Sequence, residues 1–291
     1  MRRVLVTGAT GRIGREVVAG LLAAGAEVRA LTRDPAAARL PAGVEVVGGD
    51  LTRPESLEGA VDDVDAVFLV WTAPAATAPV VVGMAARAPR IVLLSSPHRT
   101  PHPFFQQPNA LRALHAQLED LVASAGVAWT ILRPGMFASN ALFWWAPQIR
   151  AGDVVRWPYG AAETAPVHER DVAEVAVRAL CEDGHAGADY VLTGPAALSQ
   201  AAQVCTIGEV IGRTLRFEEM SPEEALTGLS MPPAVASMLL GAWGAALGQP
   251  AYVTHAVEEV TGAPARTFRE WAAEHAAAFR AAPRGQGPGT P

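Results

Sequence analysis

The chain has 291 residues, half of them apolar and 18% charged, enough for the core of one large α/β domain or a domain with a smaller lobe. A net charge of −6 supplies no basic field for direct contact with nucleic acid or anionic membrane, and no charge-free apolar window is long enough to span a bilayer. Two separated cysteines, Cys181 and Cys205, argue against a disulfide scaffold or a zinc site, so no metal is expected and a reducing, cytoplasmic setting is. All 23 cations are arginine and lysine is absent, a pattern of GC-rich coding that points to a bacterial source. The opening arginines resemble the start of an export signal, but glycines at positions 8, 11 and 14 interrupt any apolar stretch after them, so none is expected.

Short β-branched runs alternate with longer amphipathic segments, the pattern of a parallel sheet flanked by helices. Strands are expected over residues 4–7, 27–31, 44–47, 66–70, 91–94 and 128–132, with a first helix over 12–24. A helix over 110–125 carries apolar residues at Leu111, Leu114, Leu118, Leu121 and Val122, which share one face. Beyond residue 135 prolines and aromatics cluster, then a helix is expected over 169–180, a strand over 189–192 and another over 215–217, with mostly helix from 206 onward. The implied architecture is a Rossmann-type doubly wound parallel sheet over 1–135, to which strands from about 165–195 return. A smaller, mostly helical and discontinuous substrate lobe takes 136–282, and a disordered tail 283–291.

Gly8-Ala9-Thr10-Gly11-Arg12-Ile13-Gly14 follows the first strand and opens the first helix, the context a dinucleotide fingerprint needs. Glycine permits the tight turn and lets the backbone approach a pyrophosphate, to which the helix start offers free N–H groups. At the end of the second strand, where a NAD site places an acid for the ribose 2′-hydroxyl, stands Arg33, suited to a 2′-phosphate. NADP(H) is therefore the expected cofactor and NAD(H) the alternative, since adjacent Asp34 could pair with Arg33 or meet the 2′-hydroxyl itself. Thr72, after the strand over 66–70, joins the expected cofactor contacts.

Four stretches, VLVTGATGRIG at 4–14, VRALTRDP at 28–35, HAQLEDLVASAGVAWTILRPGMFASN at 115–140 and YVLTGPAALS at 190–199, resemble the NmrA-like group of atypical short-chain dehydrogenases. The likeness covers roughly residues 1–215 and rests most on TILRPGMF followed by Asn140. It implies that Asp50-Leu51 covers the adenine, although Asp50 equally fits a cap for a short helix at Pro54. It also implies that Ser95, and Pro134 at the end of its strand, lie near the nicotinamide, although Ser95-Ser96 equally fits a helix cap or turn. The group includes quinone reductases, isomerase-like enzymes and NADP(H)-binding redox sensors, so the resemblance implies fold and cofactor before any reaction.

Ordinary short-chain dehydrogenases protonate a carbonyl with a Tyr-x-x-x-Lys pair, which a chain without lysine cannot build. The resemblance, in which a lysine or sometimes a histidine stands four residues before the glutamate matching Glu119, puts His115 facing the nicotinamide ribose with Glu119 one turn on to orient it. An imidazole titrating near neutrality could give a proton or hold a hydroxyl there, although His115 also fits a surface partner of Glu119. Loss of the pair favours quinones, enones or other activated aromatic or polyketide-like acceptors, which delocalise the charge left by hydride. Phe104, Phe105, Phe137, Phe143, Trp144, Trp145 and Trp157 are candidate walls for such an apolar ring, with Ser139 and Asn140 nearby, although each aromatic also fits lobe core. Asp171 is read as complementing a helix dipole, and His98 and His102 as solvated. An NADPH-dependent oxidoreductase is the leading reading, a non-catalytic NADP(H)-sensing regulator with a protein partner the alternative. Helices around 235–247 are apolar enough for core or for a homodimer surface.

Overall fold

The computed structural model describes residues 2–229 and 231–280; the tail expected over 283–291 lies outside them. The first half alternates β1 (Arg3–Val6), α1 (Arg12–Ala23), β2 (Glu27–Thr32), β3 (Glu45–Gly48), β4 (Ala66–Val70), α2 (Ala78–Ala85) and β5 (Arg90–Leu94). Then come α3 (Pro103–Gln106), α4 (Ala110–Ala123), β6 (Ala128–Pro134), α5 (Ala141–Trp144), α6 (Ala146–Ala151), β7 (Val154–Trp157) and β8 (Glu163–Thr164). The chain continues through α7 (Glu169–Cys181), β9 (Ala188–Leu192), β10 (Leu198–Ser199), α8 (Gln200–Ile211) and β11 (Arg216–Glu219). It ends with α9 (Pro222–Gly228), α10 (Pro233–Ala246), α11 (Ala256–Thr261), α12 (Phe268–Glu274) and α13 (Ala276–Phe279).

Seven parallel strands form one sheet in the order β3-β2-β1-β4-β5-β6-β9, so the winding reverses between β1 and β4. Alternation with period two sends Val4 and Val6 into the core under α1, α7 and α11, and Leu5 into the opposite core under α2 and α4. Both faces are covered, which is why the strands read as unbroken apolar runs. Gly20 lets α1 lie close on α7, since a Cβ there would meet Val177 Cγ2 at 2.9 Å.

The lobe has its own core, in which Trp145, Trp157, Trp243 and Trp271 are fully buried. The rings of Trp144, Trp157 and Trp243 lie 5.3–5.8 Å apart, stacked or edge to face. Trp144, Trp145 and Trp157, candidate pocket walls in the sequence, are thus drawn into this cluster by the area that three indoles bury together. The short strands β7, β8 and β10 and helix α2 lack a sequence signal strong enough to have been expected; β7 pairs with β11, and β8 with β10. Among the described residues no helix is long and apolar enough to cross a membrane.

Candidate active site

Two cavities open at the carboxyl edge of the sheet, the first of them at the winding reversal, where doubly wound folds place ligands. The first, a groove of about 530 Å³, runs over the turn after β1 and the ends of β2, β3 and β4, and is lined by Gly8, Thr10, Gly11, Arg15, Arg33, Asp50, Leu51 and Thr72. Gly8 has φ +63°, open to glycine at little cost, and a Cβ on Gly14 would stand 2.1 Å from the Gly8 carbonyl oxygen. Among the described residues the amides of Arg12, Ile13 and Gly14, at the first turn of α1, have no acceptor, whereas Arg15 N already donates to Gly11 O. Glycines that admit a close backbone and free amides at a helix start fit a dinucleotide pyrophosphate.

Asp34 accepts from Ala37 N and does not pair with Arg33; among the described residues Arg33 has no carboxylate partner. Asp50 lines the groove and accepts from the amide and hydroxyl of Thr52, which hold its carboxyl below the usual range. It does not cap the short helix Pro54–Leu57, where Arg53 holds the cap position. Leu51 and Thr72 stand beside it in the lining.

The second cavity, about 260 Å³, lies between the ends of β5 and β6, the start of α4, and α10. Of the candidate pocket residues Phe104, Phe105, Phe137 and Asn140 line it, together with Ser95, His115 and Pro134, which were expected at the cofactor; Trp144, Trp145, Trp157 and Phe143 do not. Phe143 is 63% exposed, with the Arg12 guanidinium 4.1 Å above its ring, and Ser139 is buried. Met238, Leu239 and Ala242 of α10 complete the apolar wall, which no sequence signal identified because α10 is apolar all round. Its other face is lobe core, and Val235 and Leu247 are exposed.

His115 Nδ1 is hydrogen-bonded to Ser96 Oγ at 2.7 Å, a partner the sequence did not suggest. Glu119 does not orient His115. It is 1% exposed and accepts from Ser95 Oγ at 2.6 Å and, through both oxygens, from Arg133 at 2.9 and 2.8 Å. Arg133 also reaches Asp189, and Arg99 reaches Glu119, so one network ties β5, α4, β6 and β9 at the edge where they meet the cavity. The arginine of the TILRPG motif is therefore a buried ion-pair partner. His98 and His102 are buried as well, not solvated: His98 Nδ1 approaches Ser96 O, and His102 caps α3 and meets Pro250 O across the lobe. Residue 250 comes from a distant part of the chain, which no local pattern could show. Asp171 lies in the first turn of α7, has no exposure and also pairs with Arg266, a partner the sequence did not suggest.

Burial, then the nearby His98, draws the His115 pKa down to about 4 against a raising pull from Glu119, and burial also lowers His98. His115 was expected to titrate near neutrality; burial instead leaves it neutral there. The unfolded chain binds the protons that these folded imidazoles refuse, so stability is complete above about pH 6.5 and falls as pH drops toward 4. Urea unfolding followed between about pH 6.5 and 4.5 should show this loss, and His115→Gln should flatten it. An unchanged slope would contradict a buried neutral imidazole.

A family model described as NAD(P)H-binding matches residues 8–183. The chain is 42% identical over 286 residues, 95% of its length and 99% of the relative's, to the (4-alkanoyl-5-oxo-2,5-dihydrofuran-3-yl)methyl phosphate reductase of Streptomyces griseus. It is 36% identical over 292 residues, 96% of this chain and all of the relative, to the NAD(P)H azoreductase of Xenophilus azovorans. Its fold matches an NADPH-dependent quinone oxidoreductase from Escherichia coli, with a TM-score of 0.78, 24% identity and 93% and 98% of the two chains covered.

Proposed function

This chain belongs to the NAD(P)H-binding family, in its NmrA-like, atypical short-chain dehydrogenase branch, and is an NAD(P)H-binding oxidoreductase; from that premise we propose that it is an NADPH-dependent reductase of conjugated acceptors, an enone or a quinone. One observation carries the reading. The apolar cavity beside Pro134 holds a hydrogen-bonded Ser96–His115 pair as its proton-handling group, and among the described residues no tyrosine lines it.

Bound cofactor would supply hydride at the carboxyl edge of the sheet. The free amides of Arg12, Ile13 and Gly14 would hold its pyrophosphate, and Arg33 its 2′-phosphate. The phenylalanine and methionine walls exclude water around a flat acceptor. A neutral His115 with its proton on Nδ1 donates to Ser96 Oγ; the serine hydroxyl gives its proton to an enolate or quinolate oxygen, takes the Nδ1 proton in its place, and Nε2 takes up one from solvent, so the ring stays neutral. So weak an acid suffices only where the charge is already delocalised, which excludes a plain ketone. The relative that is 42% identical reduces, by its name, an unsaturated lactone conjugated with an acyl group, and the second relative reduces an azo bond; both support an activated acceptor.

Loss of NADPH absorbance with a panel of quinones and enones tests the proposal, with His115→Ala as the control. Turnover of at least one conjugated compound, slowed about 10²-fold or more in the variant, is expected. Tight NADPH binding with no turnover across the panel would favour the regulator. The cofactor preference has its own test. Arg33→Ala should weaken NADPH about 10- to 150-fold and leave NADH within a few-fold, the scale of one charge-assisted contact. An unchanged ratio by calorimetry would place the 2′-phosphate elsewhere.

A further inference from the structure

Resting on the reductase reading, we propose that the acceptor carries a phosphate monoester and that Arg112 is the residue that recognises it at the wall of the cavity. Among the described residues no aspartate or glutamate lines the cavity, and Arg112 is the one permanent charge in a largely apolar surface. The side chain is half-buried, and its guanidinium donates to Gln106 O at 2.6 Å and Gln106 Oε1 at 3.1 Å. A guanidinium has five N–H donors in a rigid fork, so three remain for a ligand, and the fork is held in place. Other buried or half-buried arginines, Arg29, Arg90, Arg133 and Arg266 among them, meet a carboxylate; among the described residues Arg112 meets none.

Its position on the helix sharpens the argument. Asn109 caps α4, and Arg112 N donates to the Asn109 side chain, so the cation stands in the first turn, where the helix dipole disfavours positive charge. An arginine at an electrostatically adverse place, in a wall of low polarity, has no anion among the described residues. A dianionic phosphate matches the fork bidentately and gains most from the low dielectric around it. Arg112 and His115 are three residues apart on one helix face, roughly 5–6 Å between Cβ atoms. A substrate whose phosphate lies a few bonds from its conjugated carbonyl would span the two, with the carbonyl oxygen at Ser96.

The test compares an acylated unsaturated lactone bearing a hydroxymethyl group with its phosphate monoester. For the wild-type protein the ester should be favoured about 10- to 100-fold in kcat/KM, chiefly through KM. Arg112→Ala should bring the ester-to-alcohol ratio close to one, and Arg112→Lys should restore part of it. Calorimetry of both compounds on protein saturated with NADP+ reads the same ratio without turnover. A ratio near one in the wild type, or a ratio that Arg112→Ala leaves intact, overturns the proposal. Failure to reduce either compound, with the binding ratio present, counts against the reductase reading alone.

Discussion

Replacing Gly14 with alanine should reduce NADPH affinity by at least about 100-fold, the cost of losing two or so charge-assisted contacts. The new Cβ would fall 2.1 Å from Gly8 O and 2.8 Å from Ala9 Cα, both backbone atoms that no side-chain rotation can clear. Relief requires α1 to move away from the turn, and that displaces the amides of Arg12, Ile13 and Gly14 from any one oxyanion. Gly11→Ala is the graded control, because its Cβ would meet a single atom, Gly8 O, at 3.1 Å; a loss of about 10-fold or less is expected there. Fluorescence titration with NADPH, alongside far-ultraviolet circular dichroism to confirm folding, checks both. Wild-type affinity in Gly14→Ala would remove the pyrophosphate from this turn, and with it the site assignment.

Arg133→Met should cost about 3–5 kcal/mol of stability, the range for leaving one partner of a buried ion pair behind. Glu119 would keep Ser95 Oγ and the exposed Arg99, but lose both short bonds from Arg133. Burial pushes the Glu119 carboxyl up, yet the bonds from Arg133 and Ser95 hold it below the usual carboxylate range. In the native protein Glu119 therefore adds stability above its unfolded pKa and loses it as pH falls. In Arg133→Met burial would prevail and the sign would reverse. The folded state would then hold the proton more tightly, and the variant would regain stability on acidification from pH 7 toward the unfolded carboxylate pKa of about 4.3. The double variant Glu119→Gln/Arg133→Met should recover part of the loss at pH 7. Chemical denaturation at several pH values decides this, and a small, pH-independent loss would show that the network is not a coupled buried charge.

The same network also explains how the cavity keeps its shape. Ser95 and Ser96 are adjacent, the first fixed by Glu119 and the second bonded to His115. Anchoring one hydroxyl in the buried ion pair sets the direction of the other toward the cavity. Arg133 thus reaches the cavity lining through Glu119 and Ser95 and does not line the cavity itself.

Features that depend on contiguous residues were determined by the sequence alone. The β1 run with its glycines specified strand, turn and helix start because period-two burial and φ above zero are local requirements, and Arg33 stood out because the end of β2 has a fixed place beside the turn. The missing lysine excluded the tyrosine–lysine pair without any structure. Only the tertiary fold decided which apolar surfaces face a cavity. Hydrophobicity favours burial in a core and in a pocket equally, so Trp157 and Phe104 looked alike until packing placed one among indoles and the other at the cavity wall. The partners of charged and polar groups were settled there too, since Glu119 with Arg133, Asp171 with Arg266 and His102 with residue 250 meet across chain separations that carry no periodic signal.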